Sequence, residues 1–481
     1  MFMLKKGEII KINIVDYAFG GKGIGRVNDD KTIVFIKDGI PGQIVNAKIT
    51  KKKQNYAEAS ITEVIQKSNL QKNHNYQPIS GAPYIELSLE DQKKMKLKVC
   101  FEVFEKIGKL NDAEKYFDQW ISSPKSYHYR NKMEYSFSSI QYDLAQKVVV
   151  DDAFALGFKR KGTWWMVENL DKDSGLFDKE FEDLLLNIRL YLKKSGCKAW
   201  HPPQKIGFFR HLVVRKSYYS NELLFNLVTS SKKIKSFNIN EFGNYLSNLF
   251  GKRFAGLIHT INDDIGDREK LDKGSSKLII GKSTIEEKIN GFDFEISMQS
   301  FFQTNPKCAE LLYLKVIDYL KEADIPKNQY IMDLFCGTGT IAQLIAKNKD
   351  NKVIGVDIVK SAIDNAKNNS KKNNISNIKF ICDDVGKFLL NNPEYHNKIH
   401  TIVIDPPRAG IAPKALRKAI RLNAKKIIYV SCNPATQARD LFTLNEMGYE
   451  LEKFSLVDQF PHTAHIESIM SFNKATYSID P

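Results

Sequence analysis

From about residue 299 onward, short apolar runs alternate with stretches of helical spacing, and this rhythm constrains the fold more than any other feature. Residues 330–334, 353–356, 379–381, 399–404 and 426–430 read as strands, and 341–347, 361–372, 413–421 and 434–447 as the helices between them. Strands linked through helices run parallel, so the region is predicted to form an α/β, doubly wound sheet. Ligands of such sheets bind at the carboxyl ends of the strands. The chemistry is therefore sought in the turns that leave these strands.

The first turn lies in Ile331-Met-Asp-Leu-Phe-Cys-Gly-Thr-Gly-Thr-Ile341, where Gly337 and Gly339 let a ligand approach the backbone. Asp357 ends the next strand, about 20 residues on, the separation at which an acid meets ribose hydroxyls in nucleotide-binding folds. The third glycine of a dinucleotide fingerprint is missing and no Lys-Ser/Thr follows, so an adenosyl ligand without a pyrophosphate fits better. The next turn is Asp405-Pro-Pro-Arg408, in which two prolines stop the strand and fix Asp405 at its tip. A strand-end cap is the plainer alternative for that acid.

The following strand ends in Tyr429-Val-Ser-Cys-Asn-Pro434. Proline suits the first position of a helix, so Cys432 is predicted to lie just before the positive end of a helix dipole. A thiol needs such help to ionise and act as a nucleophile. The alternative is a small apolar residue at a strand end. The glycine turn, Asp405 and Cys432 are expected to converge on one crevice. A final hairpin, with strands 451–457 and 468–472, carries Pro461-His-Thr-Ala-His-Ile-Glu467, which brings a base within reach if the hairpin borders that crevice. His462 and His465 are expected to shape the loop, but spacing does not rank Glu467 above them.

Before this region, residues 8–14, 32–36, 43–50 and 57–64 alternate apolar and polar positions and predict a small antiparallel barrel over 1–65. The cluster Gly20-Gly-Lys-Gly-Ile-Gly25 opens no helix and reads as a barrel turn rather than a phosphate loop. Lys51-Lys-Lys53 beside Tyr56 suits a platform for single-stranded nucleic acid. Residues 66–298 read as a central α+β domain with a basic and aromatic surface, notably Lys159-Arg-Lys161 followed by Trp164-Trp165, and 299–481 as the last domain. A net charge of +16 on 481 residues points to a polyanionic partner, nucleic acid before membrane. Six scattered cysteines, with no C-x-x-C pair, argue against zinc or a disulfide framework. With no apolar run of about 18 residues and no signal-peptide core in Met1–Gly7, a cytoplasmic location is expected.

Together, Asp333-Leu-Phe-Cys-Gly-Thr-Gly-Thr340, Asp405-Pro-Pro-Arg-Ala-Gly410, Ser431-Cys-Asn-Pro-Ala-Thr436 and Phe460-Pro-His-Thr-Ala-His-Ile-Glu467 resemble the S-adenosyl-L-methionine (SAM)-dependent RNA uracil-5 methyltransferases, a bacterial family acting on 23S rRNA and tRNA. Residues 1–65 resemble that family's OB-like TRAM barrel. The resemblance implies a Rossmann-like SAM domain, with Gln303, Phe335, Gly337, Gly339, Thr340, Asp357, Asp384 and Asp405 at the cofactor. Asp383 is the rival of its neighbour Asp384. It further implies Cys432 as nucleophile, Glu467 as general base and Asp405 at the catalytic centre. The expected activity is methylation of carbon 5 of a uridine in 23S rRNA, by a monomer whose partner is RNA and not a membrane.

The same chemistry on tRNA, or a non-catalytic RNA-binding assembly factor, is the alternative. The barrel favours rRNA, because tRNA-specific bacterial members commonly lack it. Arg408 after Asp-Pro-Pro disfavours an amino-group methyltransferase, where an aromatic is usual. DNA cytosine-5 enzymes usually place their cysteine after a proline in an earlier loop. Many relatives carry a four-cysteine iron–sulfur cluster after the barrel; residues 73–83 here contain no cysteine, so no cluster and no metal are expected.

Overall fold

A computed structural model describes residues 4–27, 32–232, 236–264 and 275–475. They group into two units, one uniting Met1–His74, Pro83–Pro124 and Cys308–Pro481, the other Asn75–Ala82 and Lys125–Lys307.

In the first unit, strands Ile9–Ala18, Lys22–Val27, Thr32–Lys37, Ile44–Lys52 and Tyr56–Gln66 close into a barrel. Alternate residues point inward, and Ile12, Ile14, Val34, Ile36, Val45, Ala47, Ile49, Ala57 and Ala59 make its core. The glycine cluster supplies a strand as well as a turn. A Cβ on Gly25 would sit 2.5 Å from Ile12, so the barrel closes tightly only without one. The barrel is not wholly antiparallel, because Thr32–Lys37 pairs in parallel with Tyr56–Gln66.

Among the described residues of the same unit, eight strands form one sheet in the order Ile378–Cys382, Lys352–Asp357, Tyr330–Leu334, Ile399–Ile404, Lys426–Ser431, Glu467–Lys474, Tyr449–Val457 and Phe117–Ile121. The first five run parallel, as the alternating pattern predicts. Glu467–Lys474 then pairs antiparallel with Lys426–Ser431, and Tyr449–Val457 antiparallel with Glu467–Lys474. The hairpin therefore extends the sheet on the side of Cys432.

The last strand, Phe117–Ile121, comes from far earlier in the chain and pairs in parallel with Tyr449–Val457. Helix Leu89–Lys106, capped by the Ser88 hydroxyl, packs its Cys100, Val103 and Phe104 into the same core as Met332, Ile402 and Phe454. Aromatic packing explains this return. The Phe104 and Phe454 rings lie 5.0 Å apart and Phe101 and Phe117 5.3 Å apart, both edge to face. Pro83–Pro124 thus folds with the parallel sheet, whereas the pattern along the chain assigns it to a central domain over 66–298.

Among the described residues the second unit is built on a nine-stranded sheet that includes Lys132–Ser138, Phe209–Lys216, Leu223–Thr229 and Phe254–Ile261. Its short segment Asn75–Ala82 is held by Gln77, whose amide oxygen accepts from the N–H groups of Asp171 and Lys172 at 2.9 and 3.1 Å. Tyr76 stacks on Tyr127, with ring centroids 4.7 Å apart. In the basic stretch, Arg160 lies over the Tyr142 ring, while Trp164 is exposed.

Replacing Phe454 by alanine removes a ring shared by the helix, the edge strand and the hairpin, and is expected to cost about 3–5 kcal/mol. Hydrogen exchange checks this: protection falls at 101–121 and 449–457, while 132–138 in the other unit keeps its rates.

Candidate active site

Strand Tyr330–Leu334 leads directly into the glycine turn. Phe335, Gly337 and Gly339 all take positive φ, at 65°, 53° and 78°. A Cβ added to Gly339 would lie 2.6 Å from the Phe380 ring, so that position needs glycine. Around Gly337 the space is open, which leaves its backbone approachable from outside. Asp357, at the end of the neighbouring strand, accepts from the Gly337 N–H at 3.0 Å and from the Val359 N–H at 2.8 Å. Thr340 is buried at the start of the short helix Thr340–Ala346.

One strand further out, Asp383 uses its carboxylate on the Asp384 N–H and the Asn391 amide. Asp384 makes no such commitment and caps helix Val385–Asn391 through its backbone only. Of the two neighbouring acids, Asp383 is the one whose carboxylate is engaged by hydrogen bonds among the described residues.

The next two turns are tied together. Asn433 caps helix Pro434–Glu446, with its side-chain oxygen accepting from the Ala435 N–H, and its amide donates to the Arg408 carbonyl at 3.2 Å. The Ser431 hydroxyl accepts from the Asn433 N–H at 3.1 Å and so shapes the turn around Cys432. Asp405 leaves strand Ile399–Ile404, its own N–H directed to the Leu334 carbonyl. Because Ser431 is paired with Ser468 across the antiparallel seam, Cys432 and Glu467 both lie at that end of the sheet.

The two histidines of the hairpin loop make different contacts. His462 is fully buried, in a left-handed conformation, with its Nδ1 3.2 Å from the Gln92 amide. His465 has its Nδ1 3.2 Å from the Arg408 guanidinium.

Electrostatics mark the site strongly. Dense surroundings hold the Asp405 carboxyl up to about 7. Glu467 is pushed up to about 8, by burial first and then by the charge of Asp405. Asp333, inside the strand, is held well above the usual carboxylate range by burial and by Asp405. Among the described residues none of these three acids has an ion-pair partner.

The Cys432 thiol is pushed up to about 12 by burial, then by Glu467 and Asp405, with Arg408 opposing them. Cys432 does lie just before the first turn of helix Pro434–Glu446, as Pro434 predicts, but burial and the two acids oppose ionisation of its thiol. Two further groups escape the sequence reading. Asp333 signals itself only as an acid within an apolar strand. Tyr313, on helix Pro306–Lys321, is buried within the field of Asp405, Glu467 and Asp333, and nothing in its helix marks it. Gln303 belongs to the other unit, where its backbone carbonyl accepts from the Asn131 amide at 3.0 Å.

Comparison with known proteins follows this geometry. A family profile described as tRNA (uracil-5-)-methyltransferase matches residues 272–475, and one for the TRAM domain matches residues 4–62. An uncharacterized RNA methyltransferase of Clostridium acetobutylicum is 36% identical over 476 residues, covering 98% of each chain. Another from Caldanaerobacter subterraneus is also 36% identical, over 98% of this chain and 100% of its own. The chain belongs to the SAM-dependent RNA uracil-5 methyltransferases. A solved structure of Pyrococcus abyssi tRNA (uracil-54, C5)-methyltransferase with S-adenosyl-L-homocysteine shares its fold, with a TM-score of 0.71 over 96% of this chain and 99% of that one at 22% identity.

The site suits this family's methyl donor. SAM carries a positive sulfonium, and a cation offsets the cost of burying carboxylates that have no partner of their own.

In the ligand-free methyltransferase, Glu467 and Asp405 keep protons that the unfolded chain gives up near its ordinary values of 4.5 and 3.8. Between those values and about 8 and 7 the folded state binds more protons, so stability falls as pH rises through that window. Thermal unfolding from pH 5 to 8 is expected to show this decline, and Glu467→Gln, which cannot ionise, is expected to flatten it.

Proposed function

We propose that the enzyme methylates carbon 5 of a specific uridine in 23S rRNA through a covalent adduct between Cys432 and the base. The observation that carries this reading is the convergence of Cys432, Asp405 and Glu467 at one end of the sheet, with burial raising the proton affinity of all three and neighbouring acids raising that of Cys432 and Glu467 further. Phe335, Gly337, Gly339, Thr340, Asp357, Asp384 and Asp405 are assigned to hold the cofactor. When bound, SAM supplies an electrophilic methyl group on a sulfonium.

Carbon 5 of uracil is a weak nucleophile. Addition of the Cys432 sulfur to carbon 6 converts the ring into an enolate whose carbon 5 attacks an electrophile. The thiol must lose its proton for this, and a positive charge near Asp405 and Glu467 reverses the field that holds the proton on. Once alkylated, carbon 5 carries both a methyl group and a hydrogen. Glu467, in its ionised form, removes that proton; the electrons re-form the 5,6 double bond and expel the sulfur. A carboxyl pushed up to about 8 is well matched to taking a proton near neutral pH. The target base must leave its stack to reach this crevice, and the TRAM barrel and the basic second unit supply RNA-binding surface.

A second reading, the same chemistry on tRNA, is favoured by the Pyrococcus enzyme, which acts on tRNA and aligns over 96% of this chain, so a barrel-bearing architecture does not by itself select rRNA.

Incubation with labelled SAM and unmodified 23S rRNA or tRNA, followed by nucleoside analysis, is expected to place 5-methyluridine in 23S rRNA. Label confined to tRNA would select the second reading. Cys432→Ala is expected to abolish turnover while leaving SAM affinity within about twofold, since the thiol acts on the base. Glu467→Gln is expected to slow release by about 10²–10⁴-fold and to accumulate a denaturation-resistant protein–RNA adduct. Normal product release from that variant would remove Glu467 from the role of base.

A further inference from the structure

The hairpin loop that precedes Glu467 is gripped by polar side chains on a helix more than 300 residues earlier. Gln92, fully buried on helix Leu89–Lys106, accepts from the His462 N–H at 2.7 Å and lies 3.2 Å from His462 Nδ1. Its amide also donates to the carbonyls of Tyr84 and Leu87 at 3.2 and 3.0 Å. One turn on, Lys96 pairs with the buried Asp458 at 2.6 Å and donates to the Phe460 carbonyl at 3.2 Å. The Tyr84 N–H adds a bond to the His462 carbonyl at 3.0 Å.

These contacts hold a strained conformation. His462 sits at φ +65°, a region that side chains other than glycine adopt only when their surroundings over-determine it. The gripped segment starts directly after Val457, and Val457 is the ladder partner of Glu467, so the loop opens and closes at the residue assigned as base. Helix Leu89–Lys106 needs none of these polar groups to pack, since Cys100, Val103 and Phe104 already bury its apolar face. A buried amide and a buried ion pair add little stability over apolar packing, but they fix one register of the groups they hold.

We propose that Gln92 and Lys96 are positioning residues for Glu467, fixing the loop so that its carboxylate meets the proton on carbon 5. This rests on Glu467 being the base. The two rows of contacts act on the loop backbone on either side of Pro461, so loss of either lets the start of strand Glu467–Lys474 shift. The thiol addition, which Glu467 does not perform, is left intact. A misplaced base therefore stalls the reaction after the adduct forms, a signature that general destabilisation does not give.

The test uses the full-length protein with labelled SAM and transcribed 23S rRNA, with tRNA transcripts in parallel. Four proteins are compared, namely wild type, Glu467→Gln, Gln92→Leu and His462→Gly. Glycine takes φ +65° without strain, so the last variant keeps a foldable loop while deleting the Nδ1 partner. Gln92→Leu is expected to lower kcat by about 10- to 100-fold, with KM for SAM unchanged and the denaturation-resistant adduct enriched towards the level of Glu467→Gln. His462→Gly is expected to move kcat and adduct in the same direction by less. Adduct in Glu467→Gln but in neither of the other two, or a parallel loss of kcat and SAM affinity without adduct, overturns the positioning role alone. Absence of adduct in Glu467→Gln overturns the base assignment beneath it.

Discussion

Three carboxyl groups and a thiol are packed at one end of a sheet, and among the described residues none of the acids has an ion-pair partner. That arrangement is costly in the free protein, because burial and mutual repulsion both favour the protonated forms. The rest of the first unit makes sense as the means of imposing it. Parallel strands deliver Asp333 and Asp405, the strand beside them delivers Cys432, and the antiparallel hairpin brings Glu467 back against that strand. On the mechanism proposed above, that tension also serves catalysis: a cationic cofactor offsets it, and the proton affinity that makes Glu467 hard to ionise suits it to the role of base.

Support for the crevice comes from distant parts of the chain. Segment Pro83–Pro124 adds both an edge strand and a helix to the unit that holds the site. The barrel packs there as well: a Cβ on Gly21 would meet the Tyr84 hydroxyl at 2.5 Å and the Ala464 methyl at 2.6 Å, so the barrel turn closes on the loop that leads to Glu467. The TRAM barrel thus abuts the chain segment that leads to Glu467. Specificity for one RNA over another must come from such surfaces, since the bond-making residues serve any uridine.

Much of this was legible in the sequence because it is local. Strand–helix alternation requires parallel pairing, glycine and proline mark the turns at 337–339 and 405–407, and Pro434 announces the helix after Cys432. What stayed hidden depends on long-range packing. Glu467 could not be ranked above His462 and His465 until the hairpin register put it beside Cys432 and tied His462 to Gln92, 370 residues away in the chain. The thiol's raised proton affinity was likewise invisible, since the helix dipole can be read from Pro434 but the opposing acids cannot. Gln92 and Lys96 did leave a trace. They stand with Cys100 and Phe104 on one face of a helix, polar residues within a stripe that is otherwise core.

The most direct measurement is the proton affinity of Cys432 itself, followed as the pH dependence of its alkylation by mass spectrometry of the Cys432 peptide, which separates it from the exposed Cys382. The Cys432 thiol is expected to stay protonated well above the usual range for cysteine in the free enzyme and to be alkylated at distinctly lower pH once SAM is bound; Glu467→Gln is expected to lower the free-enzyme value without any ligand. A thiolate already present at neutral pH in the free enzyme, or a titration unmoved by removal of the Glu467 charge, would contradict this expectation.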